Sequence, residues 1–152
     1  MARAVLKSRN SEPVKQFSVF TENKVGRLLD VVTILADRNV HTLALTVLDT
    51  IDSSILRLIV DDPEATRQIF HEQGIMYVET DLLAVELQAA TDLPPVLKAL
   101  LQAEINIHYT YAFVCRPHDR SALAMHLEDT EIATQVLIQS GFKVLTQRDI
   151  SR

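Results

Sequence analysis

The feature that most constrains this chain is that one pattern occurs in it twice. Leu28, Val31, Leu35 and Val40 align with Leu93, Val96, Leu100 and Ile105 at a constant offset of 65 (28 to 93). Asp52, Ser54, Leu56, Asp62, Glu64, Gln68 and Gly74 align with Asp119, Ser121, Leu123, Asp129, Glu131, Gln135 and Gly141 at an offset of 67 (52 to 119). One insertion of two residues reconciles the two sets, so the order of features is duplicated as well as the features. The 152 residues therefore divide into two small modules, and each must bury its own core. The composition permits this, being 47% hydrophobic, and at 5% aromatic with no Trp it makes those cores largely aliphatic.

Each copy reads strand, helix, strand, strand, helix, strand. In the first, 16-QFSVFT-21 alternates as a strand, and Leu28, Val31, Val32 and Leu35 share one helix face. The β-rich runs 40-VHTLALTVL-48 and 54-SILRLIV-60 flank a polar hairpin loop over 49–53. Asp62-Pro63-Glu64 is a helix start, with a capping carboxylate, a proline in the first turn and an acid near the positive end. Gly74 ends that helix as a left-handed cap, and 75-IMYV-78 is the last strand. After a short link, Glu79-Thr80-Asp81, the second copy runs through strand 82–88 and a helix carrying Leu93, Val96, Leu97, Leu100 and Leu101. Strands follow over 105–114 and 121–127. Asp129 then caps a helix with Ala133, Val136 and Leu137 inward, Gly141 ends it, and strand 142–145 closes the copy. The expected fold is α+β: two tandem ferredoxin-like βαββαβ modules, each an antiparallel sheet with both helices on one face. The expected boundaries are a flexible arm over 1–14, module one over 15–80 and module two over 81–152.

Charge and cysteine content narrow the function classes. A net charge of -5 without a long basic run argues against nucleic acid, which needs clustered Lys and Arg. Ala4-Val5-Leu6 is too short for a signal-peptide core, and no run approaches a membrane span. A single cysteine, Cys115, allows neither an internal disulfide nor a cysteine metal site. A cytoplasmic protein is the expectation.

The turn 23-NKVGRL-28 carries one of only three glycines in the chain. Gly26 stands where a helix begins, and two readings are open. It serves a tight turn, or it leaves the backbone bare so that a small ligand can approach the helix amides. With the βαββαβ pattern, 62-DPEATRQIF-70 and 105-INIHYTYAFV-114, this turn resembles the ACT domain, a family of small ferredoxin-like modules that bind amino acids and regulate metabolic enzymes. The resemblance covers residues 16–147 as two tandem modules with no catalytic domain attached.

The resemblance implies ligand sites where the first strand–helix loop of one module meets the second strand of another. Carried onto this chain, it assigns the loop segment Asn23, Lys24, Val25, Gly26, Arg27 and Leu28, with Val25 where proline is usual. The strand position is Asn106 in copy two and His41 in copy one. Copy two keeps Gln88 at the loop position but has Ala90-Thr91 in place of proline-glycine. One implied site thus joins Asn23 and Gly26 to Asn106. The other, degraded, joins Gln88 and Thr91 to His41. Without the resemblance, the favoured reading is that Asn23 caps the helix and Asn106 holds a strand edge.

The remaining residues carry weaker signals. Arg57, inside an apolar strand, suits an ion pair on the open sheet face or a carboxylate clamp. Five histidines (41, 71, 108, 118 and 126) show no HxxxH spacing on a helix. Tyr109 and Tyr111 share a strand face, as packing residues do. No nucleophile–base motif stands in a supporting context. The expectation is a non-catalytic regulatory or sensor protein that binds a free amino acid, needs no cofactor or metal, forms a homodimer and acts on a partner enzyme. The alternatives are an interaction subunit with decayed ligand sites and a metal-binding ferredoxin-like domain.

Overall fold

The structure is a computed structural model, and it describes residues 12–22, 26–115 and 117–151. The chain divides into two compact units: Lys15–Thr80 with Ser151, and Asp81–Ile150 with residues 12–14. Of the arm expected over 1–14, residues 1–11 lie outside the described residues. The Glu12 carbonyl accepts a hydrogen bond from the Gln147 amide at 3.0 Å, and Val14 is buried at the start of the first strand.

The first unit contains β1 (Val14–Glu22), α1 (Arg27–Asp37), β2 (Thr42–Asp49), β3 (Ser53–Val60), α2 (Pro63–Glu72) and the start of β4 (Tyr77–Leu87). Its strand order is β2-β3-β1-β4, the order of the ferredoxin-like fold. Strand pairing is antiparallel, with Val19 opposite Leu56 and Leu45 opposite Leu58. Alternation along the strands sends Phe17, Val19, Leu56, Leu58 and Val60 to the face that meets Val31 and Leu35 of α1 and Ile69 and Phe70 of α2. Three rings anchor this core. Phe17 and Phe70 meet edge to face at 5.9 Å, and Tyr77 lies 5.5 Å and 5.4 Å from them.

The second unit continues with the rest of β4, then α3 (Leu93–Gln102), β5 (Ile107–Ala112), β6 (Ser121–Leu127), α4 (Thr130–Gln139), β7 (Val144–Leu145) and a short α5 (Gln147–Ile150). Its order is β5-β6-β4-β7, the same topology. Leu83, Val85, Met125 and Leu127 alternate toward Val96, Ala99, Leu100, Ala133 and Leu137 of its two helices.

The duplication extends to irregularities that the residue pattern alone did not mark. The register shifts between Thr42 and Ala44 in β2 and between Ile107 and Tyr109 in β5, 65 residues later (42 to 107). Left-handed residues close α1 at Asn39 and α3 at Glu104, with φ of 60° and 55°. There Val40 donates to Leu35 and Ile105 donates to Leu100, which satisfies the helix-end carbonyls. Gly74 and Gly141 do the same for α2 and α4, with φ of 65° and 91°. The Asp62 and Asp129 carboxylates cap those helices, accepting from Ala65 at 3.1 Å and Ile132 at 3.0 Å. At the far end of α1, Arg38 bonds Glu72 at 3.0 Å, which holds that carboxyl below its ordinary pKa. A carboxyl with a depressed pKa contributes stability above its unfolded pKa and loses it as the pH falls through the folded one. Both side chains are well exposed, so that contribution is small.

Three expectations need correction. Residues 77–87 form one strand, so Glu79-Thr80-Asp81 is not a link outside the sheet; no glycine or proline interrupts this run. Leu28 does not join the buried face of α1. That face is Val31, Ile34 and Leu35, and Leu28, in the first turn, is 41% exposed. The last strand is shortened to 144–145 at its start, because the Gly141 and Phe142 amides still bond back to Ile138 and Leu137 in closing α4.

Candidate functional site

The turn between β1 and α1 is the first place to look for chemistry. Asn23, Lys24 and Val25 lie outside the described residues. Gly26 stands at the N-cap of α1 with φ +90°, a left-handed conformation that costs little only for glycine. Its carbonyl accepts the first helical bond, from Asp30 at 2.9 Å, and no side chain caps the turn from this position. Among the described residues, no atom lies within 4 Å of a Cβ built on Gly26. Both readings of the glycine therefore find support: the backbone angle favours it, and no described atom fills the space beside it.

Two clefts lie near this turn in the first unit, and Gly26 lines the smaller of them. The smaller, about 230 Å³, is lined by Thr21, Glu22, Gly26, Arg27, Leu28, Val47, Asp49, Ser54 and Leu56. The larger, about 730 Å³, lies between the first two turns of α1, the end of β1 and residues 73–76. Thr21, Glu22 and Arg27 line both. The small cleft thus carries one guanidinium, two carboxylates, two hydroxyls and three aliphatic side chains around a helix N-terminus. Such a set matches a zwitterion: Arg27 and the helix end favour a carboxylate, while Glu22 and Asp49 favour an ammonium. The Ser54 hydroxyl donates to Asp49 at 2.8 Å and fixes that carboxylate at the hairpin end. The sequence reading named Gly26, Arg27 and Leu28 but missed Glu22, Asp49 and Ser54. Their signal was topological: antiparallel pairing returns the end of β2 and the start of β3 to the end of the sheet where β1 terminates.

The equivalent turn of the second unit is filled from within. The Asp92 carboxylate accepts from the backbone amides of Gln88 at 2.8 Å and Ala89 at 3.3 Å. Gln88 and Thr91 are exposed, and 90–92 form a single 3-10 turn ahead of α3. Two amides of this turn thus already hold a carboxylate.

The strand positions also have partners within their own modules. His41 Nδ1 lies 2.7 Å from Asp61 Oδ2, and the His41 amide donates to Asp61 Oδ1 at 2.9 Å. Asn106 Nδ2 donates to Glu128 Oε2 at 2.8 Å. In each case the acid's own amide bonds back to the carbonyl of the paired residue. The two pairs are duplicates of one clasp between the start of the second strand and the end of the third. Among the described residues there is no group of three or more His, Cys, Asp and Glu side chains placed to hold a metal, and no helix is long and apolar enough to cross a membrane.

The family model described as an ACT domain pair matches residues 12–152. The chain belongs to the ACT domain pair family. A solved structure of a Bacteroides thetaiotaomicron protein is similar to this ACT pair at 27% identity and a TM-score of 0.83, covering 94% of this chain and 99% of that one. The regulatory subunit of aspartate kinase from Thermus thermophilus, in its ligand-free form, shares the fold at 13% identity and a TM-score of 0.58, covering 84% and 92%. A structure of aspartokinase alpha and beta subunits does so at 16% identity and a TM-score of 0.54, covering 84% and 91%. A search of the curated proteins returned no match. For this ACT pair the βαββαβ modules are thus established by topology and by family.

Proposed function

We propose that this ACT pair is a non-catalytic regulatory protein that binds a free amino acid at the β1–α1 turn of its first module. The carrying observation is the lining of the small cleft, where Arg27 and an open glycine at a helix N-terminus stand with Glu22 and Asp49. The carboxylate of the ligand is received by Arg27 and the first-turn amides, and its ammonium by the acids. The same turn of the second module is self-capped by Asp92, so binding is asymmetric between modules. Regulation then follows from differential affinity: the ligand stabilises one state of the protein, and a partner enzyme reads that state. Self-association into a two-fold dimer belongs to the same proposal, and sedimentation showing only monomer at tens of micromolar, about the range where weak interfaces form, would remove it.

A thermal-shift screen with the twenty amino acids tests the binding. At least one should raise the melting temperature, and Arg27→Ala should abolish that shift. Loss of one charge-assisted contact predicts affinity weaker by about 1.5–3 kcal/mol. Gln88→Ala should leave the shift intact. A response that survives Arg27→Ala but is lost in Gln88→Ala would move the site to the second module.

A further inference from the structure

We infer that the amino acid bound at this turn is one with a large apolar side chain, of the leucine, isoleucine, methionine or phenylalanine class. This rests on the amino-acid reading above and adds its specificity. The larger cleft shares Thr21, Glu22 and Arg27 with the smaller one, so a ligand anchored at the turn faces both. The charged groups of the larger cleft come from the end of β1 and the first turn of α1: Glu22, Arg27 and Asp30. The next turn of α1 presents Ile34, and the segment after α2 presents Ile75 and Met76. From Asp30 to Ile34 the helix rises about 6 Å, roughly the reach of an amino-acid side chain from its α-carbon. A polar anchoring region thus gives way to an apolar one over the length of a single residue.

Exposure supports the same assignment. Leu29 is 69% and Met76 75% exposed, and both line this cleft. Large apolar side chains left in water around one concavity mark a place where apolar surface is to be covered. The uncharged polar groups of the wall, Thr33 and Gln73, supply no charge to balance an aspartate or lysine side chain placed there. Such a side chain would lose hydration without recovering it, whereas an apolar one gains by leaving water. The cleft's volume, about 730 Å³, admits the largest members of the class.

The test is calorimetry on the full chain with leucine, isoleucine, methionine and phenylalanine against aspartate, lysine and glycine, repeated with Met76→Glu. The apolar group should bind at least tenfold more tightly than the charged amino acids. Met76→Glu should weaken leucine tenfold or more while leaving the unfolding midpoint unchanged, since the native side chain is largely in solvent. Tighter binding of aspartate or lysine, or unchanged leucine affinity in Met76→Glu, overturns the specificity while Arg27-dependent amino-acid binding still stands. If none of the twenty amino acids binds, the reading beneath it fails too.

Discussion

Phe70→Ala should destabilise the first module by about 3–5 kcal/mol, the usual cost of removing a fully buried aromatic side chain. Phe70 is fully buried between Phe17 and Tyr77, and Phe17 itself is buried under α2. The backbone of Phe70 also helps to end α2, because its carbonyl accepts the bond from Ile75 that closes the left-handed cap at Gly74. Truncation leaves a cavity in a core that is otherwise aliphatic apart from those two rings, and aliphatic neighbours fill such a space only partly. Domains of this size hold about 5–15 kcal/mol in total, so the loss is a large fraction. Urea unfolding followed by circular dichroism should show the lost stability as a lower midpoint. A single transition shifted by less than about 1 kcal/mol would mean that the three-ring cluster does not carry the first core.

Gly26→Val should abolish amino-acid binding and also cost stability, through backbone strain and not through a clash. The φ of +90° lies where a β-branched residue is strongly disfavoured, while no atom of the described residues stands within 4 Å of the added Cβ. The strain is about 1–3 kcal/mol. Gly26→Asn separates the two readings of this glycine, because asparagine tolerates a left-handed backbone but still covers the helix amides. A folded Gly26→Asn protein that no longer binds shows that the bare backbone is the requirement. Normal binding by that variant shows that the glycine is there for its angle alone. Calorimetry paired with a melting curve reads both.

The architecture was legible because it was written twice and in residues with local meaning. Asp62 and Asp129 cap helices wherever an Asp precedes such a run, and Gly74 and Gly141 take left-handed angles only glycine adopts freely. Glu104 was not legible as a helix end, because a glutamate at φ 55° is held there by the Ile105–Leu100 bond and not by its own preference. Nor was the continuity of β4, since local polarity at Glu79-Thr80-Asp81 looks like a loop until the strand's neighbours are known. Of the candidate site, Gly26, Arg27 and Leu28 were readable from the turn motif. Met76 and Phe20 were not, because they share a cleft only through a contact between Phe20 and Met76 that joins distant parts of the sequence. Asp92 went unread for the opposite reason: its hydrogen bonds are local, but a carboxylate four residues after Gln88 is equally at home on a solvated helix start.

The central claim is that the first module's β1–α1 turn receives the amino acid, and a titration of the ¹⁵N-labelled protein followed by amide chemical shifts tests it most directly. With leucine as the titrant, the amides of Gly26, Arg27 and Leu28 should shift first and saturate together, with Leu29, Ile34 and Met76 following the same isotherm. The amides of Gln88 and Ala89, already bonded to Asp92, should stay in place. Shifts centred on Gln88–Thr91 with the Gly26 turn unmoved would contradict the account.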